Sequence, residues 1–76
     1  MIARIEWETN TITEASQGII GKTHLYAYPA EEIAGWFSWE VWGEFNGSTF
    51  RLAYGTARTK EVAQRTAEFV AVAHEQ

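Results

Sequence analysis

Apolar and polar residues alternate along much of the first 55 residues, which predicts β-strands. The clearest stretch runs from Gly35 to Tyr54, where Asn46-Gly47 separates two alternating runs. Asn-Gly is the preferred pair for a two-residue type I′ turn, so the segment predicts a β-hairpin. The turn sets the register, and the predicted pairs are Phe45 with Ser48, Gly43 with Phe50, Val41 with Leu52 and Trp39 with Tyr54. These positions form one apolar face.

The opposite face of the predicted hairpin carries two tryptophans among polar residues. Its members are Trp36, Ser38, Glu40, Trp42 and Glu44 on the first strand, and Thr49, Arg51 and Ala53 on the second. Trp42 lies directly across from Arg51 in this register, so a cation–π pair could cover the sheet there.

Two further strands are predicted upstream of the hairpin. Residues 3–9 form the first, with Ile5 and Trp7 inward and Glu6 and Glu8 outward. Residues 19–28 form the second, which Pro29 ends. In it, two inward residues alternate with three outward ones: Leu25 and Ala27 against His24, Tyr26 and Tyr28.

Residues 10–18 allow two interpretations. Thr11-Ile12-Thr13 has the β-branched chemistry of a strand. Asn10 and the Ser16-Gln17-Gly18 cluster interrupt it, so the segment is either a short strand or a loop.

A helix is predicted over residues 59–74. Thr59 is a good N-cap, and the segment that follows contains neither Gly nor Pro. Apolar positions at helical spacing predict a sheet-facing stripe of Val62, Thr66, Phe69, Val70 and Ala73. The alanines Ala63, Ala67 and Ala71 flank that stripe, and their small side chains should let the helix axis approach the sheet closely. The residues expected to face water are Gln64, Arg65, Glu68 and Glu75.

Together these elements predict an α+β fold, an antiparallel β-sheet of three to four strands packed on one C-terminal α-helix. Neither a repeat nor a linker divides the chain, so residues 1–76 are predicted to form a single domain. The predicted strands are 3–9, 19–28, 35–45 and 48–55, and the helix is 59–74.

Composition narrows the sources of stability. The chain has no cysteine, so disulfides and thiolate metal sites are excluded, and aromatic residues at 14% must supply much of the core. No apolar run reaches the roughly 20 residues of a membrane span, and the N-terminus lacks the basic and apolar regions of a signal peptide. We therefore expect a cytoplasmic protein.

Charge is distributed unevenly along the chain. All ten acidic residues are Glu, and residues 1–45 hold seven of them against Arg4 and Lys22, a balance of −5. Residues 46–76 hold three Glu against four basic residues, a balance of +1. An acidic surface repels phosphate backbones and attracts basic partners, although mild acidity can also serve solubility alone.

The chain contains few residues of the types that carry out catalysis. The chain has no Cys or Asp, and His24 and His74 are far apart without a metal-ligand pattern. Glu40 and Glu44 on one strand face would be roughly 13 Å apart, too far for paired carboxylates of the glycosidase kind. The sequence therefore predicts no enzyme, cofactor or metal site.

The strongest functional feature is the outer face of the predicted sheet. Its predicted partner-binding residues are Tyr26, Tyr28, Trp36, Glu40, Trp42, Glu44 and Arg51. Aromatic residues and Arg are enriched at protein–protein interfaces. Two alternatives stay open: the first strand or residues 10–18 could fold over these rings, or the rings could be scattered. Sheet-face aromatics also occur in single-strand nucleic-acid platforms, but the basic groove of such platforms is missing.

The run from Tyr54 to Gln64 resembles the last strand and helix of small phage and prophage proteins, in which a Gly-x-Ala-x-Thr-x-x-x-Ala pattern closes a Trp-rich sheet. Ile5-Glu6-Trp7 and Gly35-Trp36-Phe37-Ser38-Trp39 look similar to the same group. The strand-to-helix segment is also similar to the DNA-binding modules of phage integrases, which are basic where this chain is acidic.

The phage resemblance implies an inhibitor of host defence of the anti-CRISPR kind, which would act in the host cytoplasm. Such a protein would contact a larger host protein or nucleoprotein complex with a basic surface, and it would bind no membrane and no nucleic acid directly. The alternatives are a nucleic-acid-binding accessory module using Arg51, Arg58, Lys60 and Arg65, and a structural subunit that self-associates through an edge strand. Monomer and homodimer both stay open.

Overall fold

A computed structural model of the protein describes residues 5–75. The elements are β1 (Glu8–Thr9), β2 (Ser16–Ile20), β3 (Thr23–Pro29), β4 (Phe37–Phe45), β5 (Ser48–Ala57) and α1 (Lys60–Glu75). The strands form one antiparallel sheet in the order β1-β2-β3-β4-β5, and α1 packs on one of its faces. The predicted α+β class with a C-terminal helix is confirmed, but the sheet has five strands rather than three to four. Within residues 5–75, no helix combines the length and apolar character that a bilayer span requires.

The predicted strand over residues 19–28 is two strands, β2 and β3. They pair through Ile20 and Thr23, so the turn between them consists of Gly21 and Lys22. Gly21 has φ of +58°, a left-handed conformation that glycine adopts without steric cost. The Gly-Lys pair between two apolar runs is a turn signal that the strand prediction overlooked.

Residues 10–14 form a turn, so Thr11-Ile12-Thr13 is not a strand. Ser16-Gln17-Gly18 was expected to interrupt a strand, but it begins β2 instead. The Asn10 side-chain oxygen accepts hydrogen bonds from the backbone N–H groups of Ile12, at 2.9 Å, and Thr13, at 3.1 Å. Glu14 has φ of +63°, and β2 begins two residues later. Ile12 is 91% exposed, so its β-branched side chain lies neither in a strand nor in the core. The predicted first strand is reduced to Glu8–Thr9, and its residues 3 and 4 lie outside the described residues.

The hairpin between β4 and β5 has the predicted turn. Asn46 and Gly47 both have positive φ, at +52° and +78°, as a type I′ turn requires. The predicted pairs next to the turn, Phe45 with Ser48 and Gly43 with Phe50, are confirmed.

Farther from the turn, the register of the hairpin shifts by one residue. A β-bulge at Val41 and Trp42 leaves Leu52 as the extra residue of β5. Val41 therefore pairs with Ala53, and Trp39 pairs with Gly55. The predicted pairs of Val41 with Leu52 and of Trp39 with Tyr54 are wrong. One inserted residue moves every later side chain of the strand to the opposite face of the sheet. Tyr54 moves to the outer face, and Ala53 moves to the helix face.

The core lies between α1 and the face of the sheet that carries Leu25, Ala27 and Val41, all fully buried. Trp39 packs against both clusters of buried residues. A Cβ at Gly55 would lie 3.0 Å from three atoms of the Trp39 indole, so the missing side chain of Gly55 makes room for that ring.

The helix meets the sheet through its alanines. Ala63, Ala67 and Ala71 are fully buried, whereas Val62 and Phe69 of the predicted stripe are 50% and 78% exposed. The predicted sheet-facing stripe is therefore wrong at Val62 and Phe69, whereas Val70 packs against the buried cluster as predicted. The expected close approach of the helix through its alanines is confirmed. The sheet and the N-terminal segment supply the bulk, through Trp39 and Trp7, so small side chains fit best on the helix.

One flank of α1 is held to the N-terminal half of the chain by hydrogen bonds. The Trp7 indole N–H donates to Glu68 at 2.6 Å, and the Gln64 amide donates to the Ser16 hydroxyl at 3.0 Å. The Thr23 hydroxyl donates to Glu75. Gln64 and Glu68 were predicted to face water, but both are half-buried by these bonds. Glu75 is exposed as predicted, although it also accepts the bond from Thr23.

Candidate functional site: the outer face of the sheet

The face of the sheet opposite α1, called here the outer face, carries the candidate site. The helix packs on the side of Leu25 and Val41. β2 pairs with β3, and β1 pairs with β2, so these two strands extend the sheet sideways. No helix or strand among residues 5–75 therefore lies over the outer face, and the alternative in which the first strand or residues 10–18 cover its rings is not what the structure shows.

The strand register places the predicted residues in rows across the outer face. Tyr26 lies opposite Glu40, which lies opposite Tyr54. In the next row along the strands, His24 lies opposite Trp42, which lies opposite Arg51. Tyr28 belongs to a third row, opposite Ser38. Five of the seven predicted residues thus come together on three neighbouring strands: Tyr26, Tyr28, Glu40, Trp42 and Arg51.

Glu40 is the centre of this cluster. Its carboxylate accepts a hydrogen bond from the Tyr28 hydroxyl, and a second from the Trp42 indole N–H at 2.7 Å. Two donors on different residues fix the carboxylate in one orientation. The ordered anion and the rings beside it form a preorganised unit, which we call the Glu40 cluster.

The hydrogen bonds of the Glu40 cluster shift the pKa values of both partners. The hydrogen bond from Tyr28 is the largest cause that lowers the pKa of Glu40, followed by the bond from Trp42 and the charge of Arg51, while partial burial opposes them. The same bond, together with burial and the negative charge of Glu40, raises the pKa of Tyr28 to about 12. At neutral pH, Glu40 is therefore an anion and Tyr28 is a neutral donor.

Arg51 stacks on Tyr54 rather than on Trp42. The Arg51 guanidinium carbon lies 4.1 Å from the centre of the Tyr54 ring, within cation–π range. The predicted position of Arg51 across from Trp42 is correct. Tyr54 is a site residue that the sequence reasoning missed, because only the bulge at Leu52 turns it outward. It is 66% exposed, and the alternation pattern gives no signal of it.

Trp36 and Glu44 lie apart from the Glu40 cluster. Trp36 precedes β4, and the guanidinium carbon of Arg58 lies 5.4 Å from its ring centre. Trp36 lies six positions before Trp42, which corresponds to about 20 Å along an extended strand. Glu44 is exposed and pairs with Thr49 beside the hairpin turn. These two predicted residues mark opposite ends of the outer face.

The outer face has shallow depressions, and each of them is lined by glutamate. The largest, of about 560 Å³, is bordered by Tyr28, Glu31, Glu32, Glu40, Arg51 and Tyr54. It therefore holds three carboxylates against one guanidinium. A neighbouring depression joins Glu40 to Trp42 and Tyr26, and a third contains Glu6 and Glu8 beside His24. Carboxylates next to aromatic rings suit an ammonium or guanidinium group, which can form a charge-assisted hydrogen bond and a cation–π contact at once.

Within the described part of the chain, no three His, Cys, Asp or Glu side chains converge where they could hold a metal ion.

No protein-family model, curated protein or solved structure is significantly similar to this chain. Function has to be argued from the residues of the site.

Proposed function

We propose that this protein is a non-enzymatic, acidic binding protein that docks onto a basic surface of a larger protein through the outer face of its sheet. The observation that carries the proposal is the Glu40 cluster. It is an ionised carboxylate held by Tyr28 and Trp42 and flanked by Tyr26 and Tyr54.

The chemistry of this cluster matches that of binding hot spots. Trp, Tyr and Arg dominate such hot spots, because they bring large contact areas at a small cost in side-chain entropy. Tyr28 and Trp42 are already fixed by their bonds to Glu40, so less freedom remains to be lost on binding. A Lys or Arg of the partner would be drawn in by Glu31, Glu32 and Glu40.

The resemblance to small phage proteins supports a narrower form of the proposal. In that form the protein is a phage-encoded inhibitor of a host defence complex, acts in the host cytoplasm, and occupies a basic nucleic-acid-binding surface of its target. An acidic, aromatic face is the complement that such a surface requires.

Direct nucleic-acid binding is the second candidate, and the stacked pairs of Arg51 with Tyr54 and of Arg58 with Trp36 favour it. The net negative charge around Arg51 argues against nucleic-acid binding, because the depression beside Arg51 also holds three glutamates. A phosphate backbone would meet more negative than positive charge there.

Capture of partners from a phage-host lysate with the tagged protein, followed by titration of the purified partner, tests the proposal. Trp42→Ala should weaken binding about 30-fold if the ring is a hot spot. Glu40→Lys should weaken it further, since it reverses the central charge. Glu61→Lys is the matched control, because Glu61 is exposed on α1, away from the outer face.

The association rate should fall as salt rises, because rim charges act mainly on encounter. Equal affinity for wild type, Trp42→Ala and Glu40→Lys would refute the outer face as the docking site. Micromolar binding to short single- or double-stranded oligonucleotides that weakens with salt would favour the nucleic-acid alternative instead.

A further inference from the structure

Helix α1 exposes an apolar stripe on the side that faces away from the sheet, formed by Val62, Thr66, Phe69 and Ala73. Phe69 is 78% exposed and Val62 is 50% exposed. The Thr66 hydroxyl donates to the carbonyl of Val62 at 2.8 Å, so its donor is satisfied within the helix and its methyl group remains for contact. We call these four residues the helix stripe.

Exposed aromatic residues of the hairpin lie on the same face of the sheet as α1. Val70, which follows Phe69, and Leu52 of β5 both pack against the same buried cluster. Next to Leu52, Phe50 lies over Gly43 and is 42% exposed, and Phe45 at the end of β4 is 68% exposed. With a Phe side chain covering 150–250 Å², the exposed apolar area of this surface is on the order of 450 Å². Monomeric proteins rarely leave much larger contiguous patches in water.

We propose that the helix stripe is a dimer interface, in which α1 of one copy packs antiparallel on α1 of a second copy. Antiparallel pairing centred between Thr66 and Phe69 sets large side chains against small ones. Phe69 of each copy would lie against Thr66 of the other, and Val62 would lie against Ala73. Such alternation allows the close packing that helix pairs need.

The charges along the helix favour a second copy in this orientation. The first half, residues 60–67, carries Lys60 and Arg65 against Glu61, a balance of +1. The second half carries Glu68 and Glu75, a balance of −2 with His74 neutral. An antiparallel pair brings each half beside its opposite and also opposes the helix dipoles, whereas a parallel pair would place like charges together.

The area predicts a weak, reversible dimer. Two copies that pair through the helix stripe alone would bury on the order of 500 Å² of apolar side chain. With Phe45 and Phe50 of both copies also covered, the buried area would be on the order of 900 Å², at the low end of specific interfaces. The helix stripe lies on the other side of the molecule from the outer face, so dimerisation would leave the Glu40 cluster free. The inference is therefore independent of the proposed function.

Sedimentation equilibrium from micromolar to millimolar concentration tests the proposal. The weight-average mass should rise with concentration from 8.6 kDa toward twice that value. Phe69→Glu should weaken dimerisation at least tenfold, because it buries a charge at the centre of the contact. Ile12→Glu is the matched control, since Ile12 is 91% exposed in the loop and lies outside the patch.

The orientation can be tested by crosslinking, which is simplified because the chain contains no cysteine. Under oxidation, a mixture of Val62→Cys and Ala73→Cys copies should form the mixed disulfide, and neither variant alone should crosslink to itself. Self-crosslinking of each variant alone would refute the antiparallel pairing.

A mass of 8.6 kDa throughout the concentration range would refute the dimer. A dimer that survives Phe69→Glu would assign self-association to another surface, such as the free edge of β5, and would overturn the proposal equally. Circular dichroism of Phe69→Glu at low concentration shows whether the variant is folded. If it is not, Val62→Gln and Thr66→Gln, each expected to weaken dimerisation several-fold, replace it in the same measurement.

Discussion

Tyr28 and Glu40 are joined by a hydrogen bond that runs diagonally across β3 and β4. Tyr28 lies directly opposite Ser38, and Glu40 lies directly opposite Tyr26. The bond therefore joins Tyr28 to a residue two positions along β4 from its direct pairing partner. Diagonal neighbours on a sheet face are within reach of long side chains. This bond orders the outer face, because the same carboxylate also holds Trp42.

The ionisation of tyrosine gives a direct measure of this bond. With the pKa of Tyr28 raised to about 12, one of the three tyrosines should ionise well above the ordinary value of 10.0. Ultraviolet absorbance during an alkaline titration should show this late step, and Tyr28→Phe should remove it. Tyr26→Phe is the control, in which the late step persists. A wild-type protein whose three tyrosines all ionise near pH 10 would contradict the bond.

The stability of the protein should depend on Glu40 in the acid range. Because its folded pKa lies below the ordinary 4.5, the ionised form is favoured by folding, and its contribution is present above that pH. The contribution is lost as the pH falls through the lower folded pKa. Urea unfolding should therefore show wild type about 1 to 2 kcal/mol more stable than Glu40→Gln at pH 7. The difference should shrink steadily as the pH falls from about 5 toward 3. A constant difference over this range would show that ionisation of Glu40 contributes nothing.

Gly55 should tolerate no side chain while Trp39 is present. A Cβ there would lie 3.0 Å from the indole, so Gly55→Ala should cost about 1 to 3 kcal/mol of unfolding free energy through overpacking. Phenylalanine lacks the second ring of the indole, so its smaller side chain relieves this contact. In a Trp39→Phe background, Gly55→Ala should therefore cost much less, and thermal or urea unfolding of the double-mutant cycle measures the coupling. Equal costs in the two backgrounds would refute the steric explanation.

The bond from Trp7 to Glu68 should anchor the N-terminal segment to the helix. Glu68→Ala leaves the partly buried indole N–H without its acceptor, so we expect a loss of about 1 to 2 kcal/mol. Glu61→Ala, at an exposed position of the same helix, should change stability by less than about 0.5 kcal/mol. Chemical unfolding followed by tryptophan fluorescence compares the two. Similar values for both variants would mean that the Trp7 bond adds no stability.

Local signals predicted those parts of the fold that depend on short-range chemistry. Asn46-Gly47 has positive φ at both residues, and Thr59 caps α1 by accepting the N–H of Val62 at 3.1 Å. Alternation correctly placed Leu25 and Val41 inward, and Tyr26 and Trp42 outward. In each case, the residue and its near neighbours carry the preference by themselves.

The sequence pattern gave the wrong result where a distant residue decides which face of an element is buried. Helical spacing selected Val62 and Phe69 as buried because they recur on one apolar stripe of α1. The choice of face was instead made by Trp7 and Trp39, whose rings fill the space above the sheet and leave room only for alanine. A hydrophobic stripe reports that a surface is apolar, and it does not report which surface lies against the core.

The amino-acid sequence by itself determined the α+β class, the β4–β5 turn, the start of the helix and the acidic, aromatic character of the chain. Only the tertiary structure decided that Leu52 forms a bulge, that Tyr54 therefore joins the outer face, and that Glu40 stands between Tyr28 and Trp42. The reason is physical: turn and cap preferences are energies of neighbouring residues, whereas a register shift or a buried face is selected by packing between segments that are distant in the chain.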